Sequence, residues 1–557
     1  MWLISFPVST TDLAGAIHST AAVLKTEFSE RFADDKTVSC ESDDVFLIDG
    51  VLLNKRELYS EYQCGTLNAC IKQMHAESEL FFSKFRGPFT GFYYDIAKNS
   101  FFAYGNQTGD AALYYHYDGK ELAVSSDFNA LFKFCKVQGY QLTFNPIAAN
   151  HMLTFGFLTE GNTVAAEIRK LNPGECISVK NGEFDVFEYH HFQFGQYTIS
   201  KKSEAIKAID EIFRKAVQRC FDKDLEYGYS HLADISGGLD SRMTNCVAKS
   251  LGYHPIFNIC YAQKNSRDEE YAKTVAESLR NEFYFEPLDD ISFLFDLEKL
   301  VRMNYGQAVY SGITGGERML AKLDFGKYGL EHTGQLGDAI VSYSGTEIDK
   351  GVQQYKSICY STLLEPEISP KKTYTNGEEL FFYYRCFHGA LVTHYTRRNY
   401  TEAVSPFIDV DFLQLCLNIS DELRRNHKLY WTWINSCYPK EAKIPSTRNR
   451  GNLRMTIYHK LPSSFARKII KICKAVGLTS LVSDRRGMNP FDYWYASNEN
   501  LRSFIDRYYE THRKELESMP EVLESVDKLF CGERTGDKLQ ALTVLASNYI
   551  YFCKTDE

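Results

Sequence analysis

This 557-residue chain predicts two domains, a β-rich one followed by a parallel α/β one, and three observations carry that expectation. The length exceeds what one hydrophobic core usually supports. Residues 1 to about 195 are rich in short aromatic and β-branched runs separated by Gly, Asn and Asp turns. From Lys201 onward helical periodicity alternates with short apolar strands, the pattern of a parallel sheet flanked by helices.

In the first half, Val45-Phe-Leu-Ile48, Gly91-Phe-Tyr-Tyr-Asp95 and Leu122-Ala-Val-Ser-Ser126 predict strands, and the domain boundary is expected between residues 195 and 205. In the second half, the segment from His231 to Gly252 reads as a strand, a glycine turn and a helix. Met243, Val247 and Leu251 recur every four residues and give that helix one buried face, and Gly252 can end it in the left-handed conformation. Pro255-Ile-Phe-Asn-Ile-Cys-Tyr261 predicts the next strand, and Ser266-Arg-Asp-Glu269 opens a helix as a capping box. Tyr271, Val275 and Leu279 form its buried stripe, and Phe283-Tyr-Phe285 is the strand that follows. Near the C-terminus, Ala466–Ala475 and Leu501–Tyr509 read as amphipathic helices closing over the sheet.

Composition narrows the function classes. The 44% apolar and 14% aromatic content supplies packed cores, and no run is long enough to span a bilayer. The first residues have no basic lead and only a short apolar run, so they do not read as a secretory signal, and the expected location is the cytoplasm. Fifteen cysteines, scattered singly without a Cys-x-x-Cys pair, read as reduced and mostly buried thiols. A net charge of −9 argues against nucleic acid as the main partner, because phosphate neutralisation needs a basic surface.

The chemistry-bearing segment is Ser236-Gly-Gly-Leu-Asp-Ser241. Gly237 and Gly238 sit between a strand and a helix N-terminus, where backbone N–H groups and the helix dipole converge, so the turn can wrap a phosphate that a side chain would block. Ser236 and Ser241 add hydroxyl donors. Asp240 would repel a phosphate unless Mg²⁺ lies between them, so it reads as a metal ligand.

Those residues carry a resemblance. Ser236–Ser241, with Leu239 inside it, resembles the pyrophosphate loop of the asparagine-synthetase and β-lactam-synthetase family, and Asp268-Glu269 before Tyr271-Ala272 resembles its next motif. Thr333-Gly-Gln-Leu-Gly-Asp338 stands where the family has Gly-x-Gly-Gly-Asp-Glu. By that resemblance Gly334 joins the ATP-binding residues and Asp338 is the second Mg²⁺ ligand, with Ala339 replacing the glutamate. Glu402-Ala-Val-Ser-Pro-Phe-Ile-Asp409 resembles Glu-Ala-Arg-x-Pro-Phe-Leu-Asp, with Val404 in place of arginine; Glu402 would orient a base during amide formation or form a salt bridge. A family lysine that stabilises the adenylate has candidates in Lys443, Arg448 and Arg450, with Arg448 favoured.

The first half resembles the family's glutamine-hydrolysing domain through Phe85–Asp95, Ala112-Leu-Tyr-Tyr115 and Ile168–Gly174. That hydrolysis needs a cysteine at position 2 and its free amine. Position 2 is Trp2, the oxyanion-binding Asn-Gly pair appears as Asp49-Gly50, and Asn106-Gln107 replaces an Arg-Asp pair. The resemblance therefore implies an α+β sandwich of N-terminal-nucleophile-hydrolase type over residues 1–198, without its nucleophile. An α/β ATP-pyrophosphatase domain with C-terminal helices follows over 199–557. The activity implied is adenylation of a carboxylate by ATP with Mg²⁺, then coupling to ammonia or an amine without glutamine hydrolysis. A non-catalytic ATP-binding protein is the rival class, motivated by Ala339 and Val404; sulfur or tRNA modification would call for reactive cysteines and a basic surface. The carboxylate stays open among aspartate, a ring precursor, a peptide and a surface-polysaccharide uronic acid, and so does a homodimeric assembly.

Overall fold

The computed structural model describes residues 1–10, 13–18, 22–312, 314–343, 353–368, 374, 376–447, 468–469, 472 and 487–554. Eleven strands build the first domain: Trp2–Pro7 (β1), Val23–Thr26 (β2), Thr37–Cys40 (β3), Asp44–Gly50 (β4), Phe89–Asp95 (β5), Ser100–Gly105 (β6), Tyr114–Tyr117 (β7), Glu121–Ser125 (β8), Arg169–Lys170 (β9), Glu175–Lys180 (β10) and Glu183–Glu188 (β11). They form two antiparallel sheets, ordered β2-β1-β8-β7-β9 and β11-β10-β6-β5-β4-β3. Side chains alternate across each strand, so β4 splits its apolar residues between two cores. Val45 and Leu47 meet Trp2, Ile4 and Val124 of the other sheet, whereas Phe46 and Ile48 meet Leu58, Ile71 and Met74 of the Lys55–Tyr62 and Leu67–Glu77 helices. On the outer face of the first sheet, Tyr114 and Ala123 pack with Phe128 and Leu131 of the Phe128–Val137 helix. The layers therefore run helix, sheet, sheet, helix.

The second domain holds a fully parallel sheet of Ser230–Asp234 (β12), Ile256–Ala262 (β13), Glu282–Pro287 (β14), Tyr328–His332 (β15) and Ala403–Val404 (β16), in the order β14-β13-β12-β15-β16. The chain steps outward from β12 to β14, then returns to the other side of β12 with β15. Met243 and Val247 of the Asp240–Ser250 helix are fully buried, Leu251 is half-buried, and Gly252 takes a φ of +95° just beyond the end. The capping box is present in part: Ser266 Oγ accepts from Glu269 N at 3.2 Å, but Glu269 reaches back to Asn265 N.

The C-terminal helices differ from expectation in where they pack. Leu501, Ile505 and Tyr509 form the buried stripe of the Glu499–His512 helix. The Thr535–Asn548 helix is buried along its length, and its Gln540 amide donates to Met152 O in the first half at 2.8 Å, so this helix joins the two domains rather than only covering the sheet. An ion-pair network adds to the junction: Arg219 bridges Glu57 and Asp409, and Asp409 also caps the Val410–Leu417 helix. Of the segment Ala466–Ala475, all but residues 468, 469 and 472 lies outside the described residues. Among the described residues no helix is long and apolar enough to cross a membrane.

Candidate nucleotide site

A parallel sheet that reverses direction leaves a crevice beyond the carboxyl ends of its strands at the reversal. Here the reversal lies between β12 and β15, and the loops after both strands line a cleft of about 240 Å³. Ser236, Asp240 and Ser241 contribute from the β12 loop, Thr333, Gly334 and Gln335 from the β15 loop, Tyr261 from the end of β13 and Asp268 from the helix after it, with Arg397 completing the wall.

The β12 loop is tied by its own side chains. Ser236 N donates to Ser241 Oγ at 3.0 Å, Gly238 N to Ser236 Oγ at 3.2 Å, and Gly237 N to Asp268 Oδ1 at 3.1 Å. The amides expected to be free are thus partnered, because part-buried backbone donors need acceptors. The Leu239 side chain is buried in the core and anchors the loop.

Three glycines bring the loops into backbone contact. A Cβ on Gly334 would lie 2.1 Å from Ser241 N, one on Gly337 2.8 Å from Asp240 Cβ, and one on Gly237 2.5 Å from Thr447 Cγ2. This close approach sets the short Gly337–Val341 helix, with Asp338 in its first turn, beside Asp240. Both carboxylates act on Tyr430, a buried residue whose hydroxyl donates to Asp240 Oδ1 at 2.8 Å. Burial, then the charges of Asp240 and Asp338, push the Tyr430 phenol far above its ordinary value. Asp240, and Asp338 on the short helix packed against it, offer carboxylate oxygens, the ligand type that fits a hard divalent cation such as Mg²⁺.

Another set of donors converges nearby. Asp224, His231 and His332 bring ligand atoms within 4.8 Å of one another, but both imidazole nitrogens already lie 2.8 and 2.7 Å from Asp224 Oδ2. They read as a hydrogen-bonded bridge between the strands.

Arg397, Asp234 and Glu331 are absent from the sequence reading. Arg397 Nη1 lies 3.1 Å from Asp234 Oδ2 and pairs closely with Glu331, and its Nη2 donates to Tyr261 OH at 3.1 Å. Burial raises the Glu331 carboxyl to about 8 against the pull of Arg397. Burial works against the Arg397 charge, yet Glu331 and Asp234 more than offset it. A signal for this group existed, since acidic residues in strands covered on both faces are anomalous.

Of the cations expected downstream, only Lys443 lies among the described residues. Lys443 is exposed and does not line the cleft. Its segment is held by buried Arg242, which donates to the carbonyls of Glu441, Ile444 and Pro445 at 3.1, 2.7 and 2.8 Å. Thr447 N donates to Gly237 O at 2.9 Å, so the chain reaches the loop immediately before Arg448. Arg448 and Arg450 lie outside the described residues.

Residues 42–190 match the family profile described as glutamine amidotransferase domain, and residues 208–304 match asparagine synthase. The chain is similar to these two families over those segments, which together cover less than half of it. No curated protein gives a significant match. Similar solved structures include glutamine phosphoribosylpyrophosphate amidotransferase from B. subtilis complexed with ADP and GMP, at 10% identity over 51% of this chain and 59% of that one, TM-score 0.22. Another is titled as the allosteric regulatory enzyme of purine biosynthesis, at 9% identity over 51% and 74%, TM-score 0.23. This chain thus spans 59% of the length of the first of them.

In this asparagine synthetase-like chain the amidotransferase domain has Trp2 fully buried between its sheets. The indole N–H donates to Thr90 Oγ1 at 2.9 Å. The Met1 ammonium lies 3.0 Å from Asp49 Oδ2 and donates to Glu27 O at 2.8 Å. Asn106 donates to Thr108 Oγ1 at 3.2 Å within its own loop, and Gln107 donates to Phe85 O at 3.1 Å on a neighbouring segment, so both side chains are engaged.

Glu402 faces this domain instead of the nucleotide cleft. Its carboxylate pairs with Arg398 at 2.6 Å and lines a cavity of about 260 Å³ together with Met1, Lys36 and Asp49. The reason is topological: Glu402 precedes β16, whereas the cleft opens beyond the carboxyl ends of the strands. Val404 and Ala339, which replace charged family residues, are both buried apolar positions.

Proposed function

We propose that this protein adenylates a carboxylate with ATP, releasing diphosphate, and transfers the acyl group to ammonia or an amine, releasing AMP, without hydrolysing glutamine. The observation that carries the reading is Asp240, held by the Tyr430 hydroxyl beside the Ser236–Ser241 loop at the sheet reversal, with the Gly337–Val341 helix that carries Asp338 packed against it. The asparagine synthase match over 208–304 supports the ligase class.

In this reading the helix N-terminus after Ser236 and the loop hydroxyls receive the diphosphate portion. A substrate carboxylate oxygen attacks the α-phosphorus and the bond to the β-phosphate oxygen breaks. An amine nitrogen then attacks the acyl carbon, and AMP departs with the bonding pair. Mg²⁺, held by Asp240 and Asp338, would offset negative charge on the phosphates. Tyr430 fixes the orientation of Asp240. Arg397 places positive charge in the cleft, countered chiefly by Asp234 when Glu331 is protonated. Support for the missing hydrolysis comes from position 2, where a buried indole stands in place of a nucleophilic thiol.

The test is to incubate the protein with ATP, Mg²⁺, ammonia and a panel of carboxylates, and to assay AMP and diphosphate. Turnover should vanish in Asp240→Asn and in Asp338→Asn while thermal unfolding stays cooperative. Wild-type turnover in either variant, or release of ADP and phosphate, overturns the reading.

A further inference from the structure

The register of the parallel sheet gathers three polar side chains on one face at the nucleotide cleft. β12 pairs with β15 through Leu232 and Glu331, and with β13 through Asp234 and Ile259. Side chains two residues apart share a face, so Asp234, Glu331 and Tyr261 project together from adjacent strands. Leu232 and Ile259, on that same face, pack with Met319 in an apolar cluster. Arg397, the last residue of the Thr393–Arg397 helix, reaches all three polar groups.

Two carboxyl groups thus share one guanidinium. Glu331 is fully buried, whereas Asp234 is 19% exposed and lines the cleft. Glu331 Oε2 and Asp234 Oδ1 are buried oxygens that accept from no described donor. The two carboxyl groups lie within hydrogen-bond reach of each other, and two acceptor oxygens meet favourably only across a proton. Arg397 offsets one negative charge and that proton offsets the other, which is why Glu331 holds its proton up to about 8. Tyr261 and Cys260 of β13 are the other titratable groups acting here. Burial raises both, Tyr261 to about 12, so neither is charged at neutral pH. Asp268 acts on Cys260 from the next helix and accepts from Gly237 N. A buried charge cluster contributes little stability that apolar side chains of equal volume would not supply, so packing does not account for this one.

Resting on the adenylation reading above, we infer that Asp234, backed by Glu331, is the base that takes a proton from an ammonium substrate so that its nitrogen can attack the acyl adenylate. Glu402, expected to orient a base, lies outside this cleft. An ammonium proton passes to the Asp234 carboxylate and leaves its electron pair on nitrogen. That pair forms the C–N bond, the C–O bond to AMP breaks, and AMP takes the bonding electrons. A second N–H proton goes to water as the amide forms, and Asp234 returns its own proton to water before the next turnover. Fully ionised, the pair regains a proton near pH 8, close to the range in which ammonium gives one up.

The experiment measures ATP–diphosphate exchange by the full chain with a carboxylate panel headed by L-aspartate and D-glucuronate, then product formation with ammonium or hydroxylamine as acceptor. Hydroxylamine is largely free base at neutral pH and needs no such proton removal. Asp234→Asn should lower amide formation from ammonium about 100-fold more than it lowers either exchange or hydroxamate formation. Wild-type amide formation should rise with pH through about 8, and Glu331→Gln, which removes the like charge beside Asp234, should move that rise down by about one pH unit or more. The Glu331→Gln profile decides by itself if Asp234→Asn fails to fold. Absence of exchange in the wild type overturns the adenylation reading and this inference with it. Exchange in the wild type, combined with an Asp234→Asn variant equally slowed toward ammonium and hydroxylamine or with a pH rise unmoved in Glu331→Gln, overturns this inference alone.

Discussion

Gly238→Ala separates a glycine needed for folding from one needed for a ligand. A Cβ on Gly238 meets a single atom within 4 Å, Ser236 Oγ at 3.3 Å, whereas one on Gly334 would lie 2.1 Å from Ser241 N. The Gly238 methyl therefore asks only a slight shift of one hydroxyl, and Gly→Ala at a compatible position stabilises by about 0.4–1 kcal/mol through the unfolded chain. The net change in unfolding temperature should stay within about 3 °C. The same methyl projects from the loop that receives the diphosphate portion, and a displacement of about 1 Å there lowers turnover about 100-fold. Gly334→Ala is the contrasting control, forcing two backbones apart at a cost of about 1–3 kcal/mol or more. The assays are Mg²⁺-ATP binding by calorimetry, AMP release, and thermal unfolding of both variants. Gly238→Ala with wild-type ATP binding and AMP release refutes the claim that this loop cradles phosphate.

Three further outcomes are expected. Tyr430→Phe deletes the hydroxyl that orients Asp240, and should raise the Mg²⁺ needed for half-maximal AMP release by about 10–100-fold with the fold retained; an unchanged Mg²⁺ titration would dissociate Tyr430 from the metal. Trp2→Cys should not create glutamate release from glutamine, because the Asp49 carboxylate would still oppose an oxyanion, and it should destabilise the first domain by about 3 kcal/mol through loss of a fully buried indole; Trp2→Cys with Asp49→Asn is the least combination that could yield activity. Glu331 is raised to about 8 in the folded protein, so the folded state holds a proton that the unfolded chain releases near 4.3. Its stabilising contribution is complete below that lower value and is lost as pH rises toward 8. Urea unfolding midpoints at pH 5 and 8 should differ more in wild type than in Glu331→Gln, and equal differences would count against this assignment.

Much of the architecture was legible from local pattern. The strands β4, β5, β8, β13 and β14, the helix that follows Ser236 and the Ser266 cap all depend on side-chain periodicity and cap chemistry within a few neighbouring residues. The loop at Ser236–Ser241 was legible for the same reason, since its glycines and hydroxyls act within six consecutive positions. Tertiary structure alone decided what surrounds that loop. Tyr430 is 190 residues from the Asp240 it holds, and Arg397 is 163 from Asp234, separations over which no periodic signal survives. It also decided that Glu402 faces the first domain and that Thr535–Asn548 packs against Met152, because which face of an element is covered depends on what chain folding brings against it. The two-residue strand β16 shows the limit most plainly: Ala403-Val404 is too short to carry an alternation of its own, and becomes a strand only through parallel pairing with Glu331 and His332.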